Sequence, residues 1–441
     1  MKISKYTFFF SDNDNYYIYN TLSNSLLRID EESYDILSHY KKAKSEIQKD
    51  KIDSELFEIL KNKYFITEND KDEFLLYKSI IEGQRAQNET MHLTIAPTMD
   101  CNFNCHYCFE KKEKSYISSE VIDSLTKYIS LNKELKNIHI TWFGGEPLMA
   151  MEQIKEFYSK FKLVWDKKCM SNIITTAYHI TPQVIEDLKS VDISSIQITL
   201  DGNKNSHNKI KYTDDCNDVF SQIISNIDLI TKTASEIDVS IRVNLTKENM
   251  DDYESLYSFL TKRYKGKNLV VSPAFVKDRG CNDCLTDADN YFFNRKECSE
   301  YILKLFKEKD IYTPFLRYPS RFFEECAIRN KTAIGVDPDG YVYKCWEIIG
   351  NKKYAIGRLI DGEIRDVNLT VLNRQLYGAD TLDDPKCSGC SYLPICNGGC
   401  PIHRIENEFE GGNMDVCTYY KGFLPEFMKI HLGLKKRYNN S

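Results

Sequence analysis

The chain predicts an α/β fold whose parallel sheet is either open or curled into a partial (β/α)6 barrel. A small N-terminal α+β unit precedes it and a cysteine-rich region follows. Three observations predict this. From Met91 onward, six apolar stretches alternate with helical patterns, the sequence signature of βαβ units. Residues before about 85 instead carry three short aromatic stretches and then helices. Beyond Arg321 the regularity fades into turn signals and cysteines.

In residues 1–85, strands are expected at 7–10, 16–19 and 26–29, between turn-formers such as Asp12-Asn13-Asp14-Asn15 and Ser23-Asn24. Tyr34, Leu37 and Tyr40 share one helical face, and Leu56, Ile59 and Leu60 another. Tyr64-Phe65-Ile66 reads as a closing strand or wing, and charged residues 68–88 as a helix plus linker. The six sheet strands are expected at 92–95, 138–143, 173–178, 196–200, 239–245 and 269–274. Helices fall between them, at 121–131 for example, and at 182–188 with Thr181 as cap and Pro182 in the first turn. Ligands of such a sheet belong at the carboxyl ends of its strands. Residues 280–325 read as a polar bridge with a helix around 291–307, then hairpin strands at 333–336 and 341–344 flank Asp337-Pro338-Asp339-Gly340. The predicted domains are 1–85, 90–300 and 301–425, with a tail at 426–441.

Composition sets limits on function. With 441 residues, 42% apolar and 28% charged, the chain can build several cores. A net charge of −6 gives no reason to expect nucleic acid as a partner. Residues 1–12 hold only Phe8-Phe9-Phe10 as an apolar run, which is no secretion signal. No stretch approaches the roughly 18 apolar residues of a membrane span. A soluble, cytoplasmic protein with no membrane partner is expected.

The 15 cysteines are unevenly placed: none in the first hundred residues, three within 101–108 and seven within 326–417. In a reducing compartment, patterned thiols serve metals or catalysis more often than disulfides. Cys101-x3-Cys105-x2-Cys108 follows the first sheet strand. Three thiolates there can cap three irons of a cubane cluster that normally takes four, leaving one iron open. A zinc knuckle with His106 as fourth ligand is the alternative, though His106 sits cramped beside Cys105. Gly144-Gly145-Glu146-Pro147 follows the second sheet strand; alone it would be only a turn.

Together these motifs resemble the radical S-adenosylmethionine (SAM) enzymes, over about residues 91–274. The resemblance implies a TIM-like partial barrel in which Cys101, Cys105 and Cys108 hold a SAM-binding 4Fe-4S cluster. One electron from that cluster cleaves SAM, giving a 5′-deoxyadenosyl radical that abstracts hydrogen from an unactivated carbon. Gly144 and Gly145 would let backbone approach the methionyl group, Glu146 would accept from its ammonium, and Tyr107 would lie near adenine. Thr199, Arg242 and Asn244, at or near strand ends, are further cofactor-binding candidates or ordinary polar residues. Where many relatives show Thr-Asn-Gly after the third sheet strand, this chain has Thr176-Ala177-Tyr178, and Tyr178 is a candidate pocket residue.

The second cysteine series runs Cys326, Cys345, Cys387-x2-Cys390-x5-Cys396-x3-Cys400 and Cys417. It resembles the seven-cysteine SPASM extension of peptide-modifying radical SAM enzymes. The resemblance implies a distal auxiliary 4Fe-4S cluster on Cys387, Cys390, Cys396 and Cys417, and a proximal one on Cys326, Cys345 and Cys400. Fully ligated relatives carry a further cysteine six residues after the first; here Thr332 stands there. The proximal cluster is then open to a substrate thiolate, or closed by Cys281 or Cys284. Cys169, Cys216 and Cys298 have no partner at ligand spacing, and His139 and His207 read as structural or solvent-facing.

Residues 1–85 resemble the winged-helix-like peptide-recognition domains fused to natural-product maturases, whose sheet edge can take an extended leader as an added strand. The alternative is a folding appendage. The whole resemblance implies a maturase with three 4Fe-4S clusters that cross-links a ribosomally made precursor peptide, with a cysteine-derived thioether as the product. Flavodoxin or ferredoxin would supply the electron. Carbon–carbon cross-linking, sulfatase maturation through formylglycine, and a non-catalytic zinc-binding adaptor are the competing readings.

Overall fold

The computed structural model describes residues 1–277, 291–320 and 326–439. They group into two compact units, one of 1–86, 294–326 and 377–441, the other of 87–293 and 327–376.

The first unit opens with β1 (Lys2–Ile3), β2 (Thr7–Asp12), β3 (Asn15–Asn20) and β4 (Ser25–Ile29). β2, β3 and β4 form an antiparallel meander. Asn13 and Asp14 make its first turn, both at positive φ (45° and 58°), the backbone that a tight hairpin demands. Helices α1 (Glu31–Ala43) and α2 (Ser54–Asn62) follow, then β5 (Ile66–Thr67), which pairs with β1, and α3 (Asp70–Arg85). Asp30, Asp53 and Asn69 cap the three helices through their side chains.

The meander is covered on both faces, which explains its aromatic density. Ile18 packs with Leu37, Phe57, Leu60 and Phe65 on one side. Phe10, Tyr17 and Tyr19 pack with Ile395, Leu424 and Met428 on the other. The helix Leu424–Asn439 therefore completes this core. The expected tail at 426–441 is corrected by that helix: apolar residues at 424, 427 and 428 recur at helical spacing and are buried.

The second unit carries six parallel strands, β6 (Thr90–Ile95), β7 (Asn137–Trp142), β8 (Met170–Thr175), β9 (Ile193–Thr199), β10 (Asp238–Leu245) and β11 (Leu269–Phe275), in sequential order. Helices α4 (Ser119–Leu131), α5 (Met151–Val164), α6 (Pro182–Ser190), α7 (Lys204–Ile210), α8 (Val219–Thr233) and α9 (Tyr253–Arg263) occupy the crossovers. Thr181 caps α6 on the Val184 N–H, with Pro182 in the first turn as expected. Burial alternates along β6 and β10. Met91, Leu93 and Ile95 are buried, while the half-buried His92 and Thr94 point to the other face.

Strands β12 (Ile334–Val336), β13 (Tyr341–Tyr343), β14 (Gly357–Ile360) and β15 (Glu363–Arg365) extend this same sheet. β12 pairs in parallel with β6, Ile334 opposite Leu93 and Val336 opposite Ile95. An open barrel edge leaves unpaired N–H and C=O groups, and a neighbouring strand satisfies them. The region expected as one domain at 301–425 is consequently divided. Residues 327–376 cluster with the barrel strands, and 301–326 with 377–425 cluster with residues 1–86.

Candidate active site and cysteine cavity

The loop after β6 carries Cys101, Cys105 and Cys108, all half-buried. Its shape is held locally: the Thr98 hydroxyl donates to Ser115 O (2.6 Å) and accepts from the Asp100 N–H (2.9 Å). The Cys108 N–H donates to Cys105 O (3.1 Å), and the Asn104 N–H to Tyr212 O (2.9 Å). Burial pushes the Cys101 and Cys108 thiols up to about 12, with the Cys105 sulfur adding to both. Burial raises Cys105 as well. The trio thus shares one electrostatic environment and suits a cationic metal group, whose arrival must displace the thiol protons.

Gly144 and Gly145 pack against this loop. A Cβ on Gly144 would lie 2.5 Å from Thr98 O, and one on Gly145 only 2.1 Å from Asp100 O. The Gly145 N–H donates to Thr98 O (3.1 Å) and the Glu146 N–H to Asp100 O (2.9 Å). The glycines expected to admit a methionyl group therefore admit the backbone leading into Cys101. Glu146 is fully buried. One oxygen accepts from the Leu148 N–H (3.0 Å) and the Thr175 hydroxyl (2.6 Å). The other accepts from the Thr176 N–H (2.8 Å) and hydroxyl (2.6 Å). Four accepted bonds fill a carboxylate's capacity, so Glu146 acts as a strut to the end of β8 and not as a free acceptor for an ammonium. The unusual Thr176-Ala177-Tyr178 turn supplies two of these donors. Tyr178 itself packs edge-on against Phe103 (5.4 Å between centroids).

Tyr107 sits at the centre of a half-buried chain that ends on the buried Asp201. Its hydroxyl donates to Asp201 Oδ2 (2.7 Å) and accepts from Asn244 Nδ2 (3.0 Å). Arg242 Nε donates to Asn244 Oδ1 (2.9 Å). Thr199 lies opposite Arg242 in the β9–β10 register. Burial first, then the charges of Asp201 and Cys105, hold the Tyr107 hydroxyl protonated. The sequence reading placed Tyr107, Arg242 and Asn244 at the site but missed what joins them. Asp201 is fully buried and its second oxygen, Oδ1, has no hydrogen bond. Lys211 Nζ stands 4.0 Å from Asp201 Oδ2 and is buried too. Burial opposes the charge of Lys211, but Cys105, Asp201, Cys101 and Glu146 outweigh it and its pKa is raised. His207 accepts from the Asp201 N–H at Nδ1 (3.0 Å), and burial followed by Lys211 lowers its pKa to about 3, so it is a neutral structural group. His139 stacks edge-on with His92 (4.9 Å).

In the other unit, Cys387, Cys390, Cys396 and Cys417 line a cavity of about 160 Å3, and Cys400 is not among its lining residues. Arg404 Nη1 donates to Cys387 Sγ (3.4 Å) and Lys421 Nζ to Cys417 Sγ (3.1 Å). Cys400 precedes the helix Pro401–Phe409 in this unit, where Cys326 also lies; Cys345 belongs to the barrel unit. Thr332 is engaged, its hydroxyl bonding to Thr90 O (2.6 Å) and Asn330 Oδ1 (2.8 Å). Cys281 and Cys284 lie outside the described residues. Of the unassigned cysteines, Cys298 is buried and Cys169 and Cys216 are half-buried.

The parallel sheet thus carries three thiols in the loop beyond its first strand, packed against a Gly-Gly-Glu-Pro loop beyond its second. Residues 95–260 match the radical SAM superfamily, and the barrel is a radical SAM enzyme domain. The chain is 23% identical over 373 residues to the cysteine-type anaerobic sulfatase-maturating enzyme of Clostridium novyi, covering 76% of this chain and 94% of that one. It is 24% identical over 465 residues to the radical SAM cyclopropyl synthase TigE of Paramaledivibacter caminithermalis, covering 95% and 94%. Among solved structures, anSMEcpe with bound AdoMet matches with a TM-score of 0.60 at 20% identity, over 79% of this chain and 99% of that one. Streptococcus suis SuiB bound to S-adenosylmethionine matches with 0.52 at 15%, over 95% and 100%. No helix among the described residues is long and apolar enough to cross a membrane.

Proposed function

We propose that the chain is a peptide maturase that joins a cysteine sulfur to a carbon of a ribosomally made precursor as a thioether. The observation that carries this is the four-cysteine cavity in the same chain as the radical SAM domain. Relatives that match over nearly the whole chain support it: TigE is a cyclopropyl synthase, and SuiB has been solved with its precursor peptide SuiA.

Cys101, Cys105 and Cys108 would hold the SAM-binding 4Fe-4S cluster, and their shared burial fits it. When bound, that cluster and SAM supply a carbon-centred radical by one-electron cleavage. Lys211 offers a buried positive charge toward the anionic thiolates or a cofactor carboxylate, and Tyr107, Asn244 and Arg242 hold the polar wall beside it. The four thiols of the cavity suit a distal auxiliary 4Fe-4S cluster by donor type and number. Cys326, Cys345 and Cys400 would hold the proximal one. Thr332, at the sequence position where fully ligated relatives carry a cysteine, would leave the proximal iron open to the substrate thiolate. Forming the thioether removes two hydrogens: one leaves carbon as an atom, the other leaves sulfur as a proton with one electron passed to an auxiliary cluster. Flavodoxin or ferredoxin would supply the electron that cleaves SAM.

The test is to incubate the anaerobic enzyme with a cysteine-containing precursor, SAM and reductant, then weigh the product. A loss of two hydrogens that disappears when every precursor cysteine becomes alanine is expected. The same loss surviving that change overturns the thioether. It would favour carbon–carbon bond formation, the second reading, which the match to a cyclopropyl synthase over 95% of this chain supports.

A further inference from the structure

Sulfur ligands of a cluster are anionic, and the state with one more electron is the more anionic of its two redox states. Cations or N–H donors at those sulfurs therefore stabilise the reduced form and raise the potential. Two cationic side chains donate to sulfurs of the cysteine cavity. Arg404 is 9% exposed and fixed by its whole fork. Nε donates to Ala379 O (2.8 Å), Nη2 to Asp384 Oδ2 (2.7 Å) and Nη1 to Cys387 Sγ (3.4 Å). Lys421 is exposed, yet its backbone is anchored. Its N–H donates to Thr418 O (3.1 Å) and its carbonyl accepts from Arg295 Nη1 (2.7 Å). Nζ then reaches Cys417 Sγ at 3.1 Å.

The nearby anions are arranged differently. Asp384 receives Arg404, and Asp415 receives Arg295 Nε at 2.9 Å. Asp415 Oδ1 also accepts the Cys417 N–H (2.9 Å). Each carboxylate is paired with an arginine and also reaches a sulfur, Asp384 that of Cys387 and Asp415 that of Cys417, so each of these sulfurs meets one anion beside its cationic donor. A guanidinium held by three bonds keeps its place when the cluster's charge changes, so no reorganisation is needed at electron transfer.

We propose that Arg404 and Lys421 are positioning residues that raise the reduction potential of the cluster held by Cys387, Cys390, Cys396 and Cys417. This rests on reading the cavity as a cluster site. The step adds one electron to the cluster and forms or breaks no bond there; dithionite is the donor in the test. Arg404 contributes more than Lys421, because burial lowers the dielectric around its charge, whereas water and salt screen the exposed ammonium.

The experiment uses full-length protein with Cys101, Cys105, Cys108, Cys326 and Cys345 changed to alanine, reconstituted anaerobically, so that neither the first nor the proximal cluster contributes a signal. Redox titration followed by electron paramagnetic resonance gives the oxidised-to-reduced ratio at fixed potential. Arg404→Gln should raise that ratio at least tenfold, a fall of about 59 mV for a one-electron couple. Arg404→Lys should stay within threefold of the parent. Lys421→Met should raise the ratio about threefold at low salt and lose most of that effect at high salt. Asp384→Asn, which removes an anion, should move the ratio in the opposite direction. Should Arg404→Gln fail to hold a cluster, Lys421→Met and Asp384→Asn decide. Parental ratios in the charge variants that do hold the cluster overturn the inference. A background whose iron content is unchanged by also replacing Cys387 and Cys390 overturns the cluster reading beneath it, and iron analysis separates that result from an unshifted potential.

Discussion

Glu146 and Glu73 are buried carboxylates with opposite surroundings. Glu146 accepts four hydrogen bonds. Glutamine at this position puts an NH2 against two donors that had an acceptor, and each buried donor left unmatched costs roughly 1–3 kcal/mol. Glu146→Gln should lower the melting temperature and cut 5′-deoxyadenosine formation at least tenfold; full activity would show that the strut is dispensable. Glu73 is only 4% exposed, and the Ser4 hydroxyl beside it offsets only part of its burial. Burial raises its pKa from 4.5 to about 7, against the pull of Lys5 and Lys41. Between those values the folded state binds the proton that the unfolded state has released, so stability falls as pH rises through that window. Glu73→Gln removes the loss. The variant should melt like the parent at pH 4 and be more stable at pH 8, by up to about 3 kcal/mol, as thermal unfolding across pH would read.

At the scale of elements, the loop after β7 and the loop after β6 are locked backbone to backbone. Alanine at Gly145 would place a methyl 2.1 Å from Asp100 O, and that carbonyl immediately precedes Cys101. Gly145→Ala should therefore displace the cysteine loop and reduce iron at the first cluster severalfold, measured by iron content in a protein lacking the C-terminal cluster cysteines. The meander presents its own test. Among the described residues β4 pairs with β3 alone, so its other edge has no strand partner there. N–H groups in an antiparallel strand alternate in direction, so of Leu27 and Arg28 one supports the ladder and one faces outward. Proline at the outward position should weaken precursor binding about tenfold with the melting temperature kept, whereas unchanged affinity in both proline variants would remove β4 as the docking edge.

For the whole molecule, residues 1–86 cannot be treated as a detachable appendage. Tyr6, Tyr77 and Ile81 share a core with Leu382 and Leu393, and Arg85 pairs with Asp380, with Nη2 to Oδ1 at 3.0 Å. Tyr77 also donates to Asn397 Oδ1 (2.6 Å), one residue after Cys396. Deleting residues 1–85 strips apolar cover from the segment that carries Cys387, Cys390 and Cys396. The truncated protein should aggregate or lose the iron of that cavity; soluble protein with unchanged iron would contradict this packing. A truncation is thus a poor assay for leader binding, and the β4 prolines are the better one.

The cysteine spacings and the Gly-Gly-Glu-Pro turn could be read directly because they are local: ligands a few residues apart serve one metal group whatever surrounds them. The six parallel strands and the meander were equally legible, since burial imposes its period on neighbouring residues. Thr181 and Pro182 marked a helix start for the same reason. Only tertiary structure showed that Gly145 faces Asp100, that Glu146 is saturated by Thr175 and Thr176, and that Lys211 and Asp201 complete the wall beside Tyr107. It also decided that 327–376 joins the barrel while 377–441 joins the N-terminal region. These relations link residues tens to hundreds of positions apart, and a sequence period records which face a side chain takes, not which distant backbone or charge it meets there.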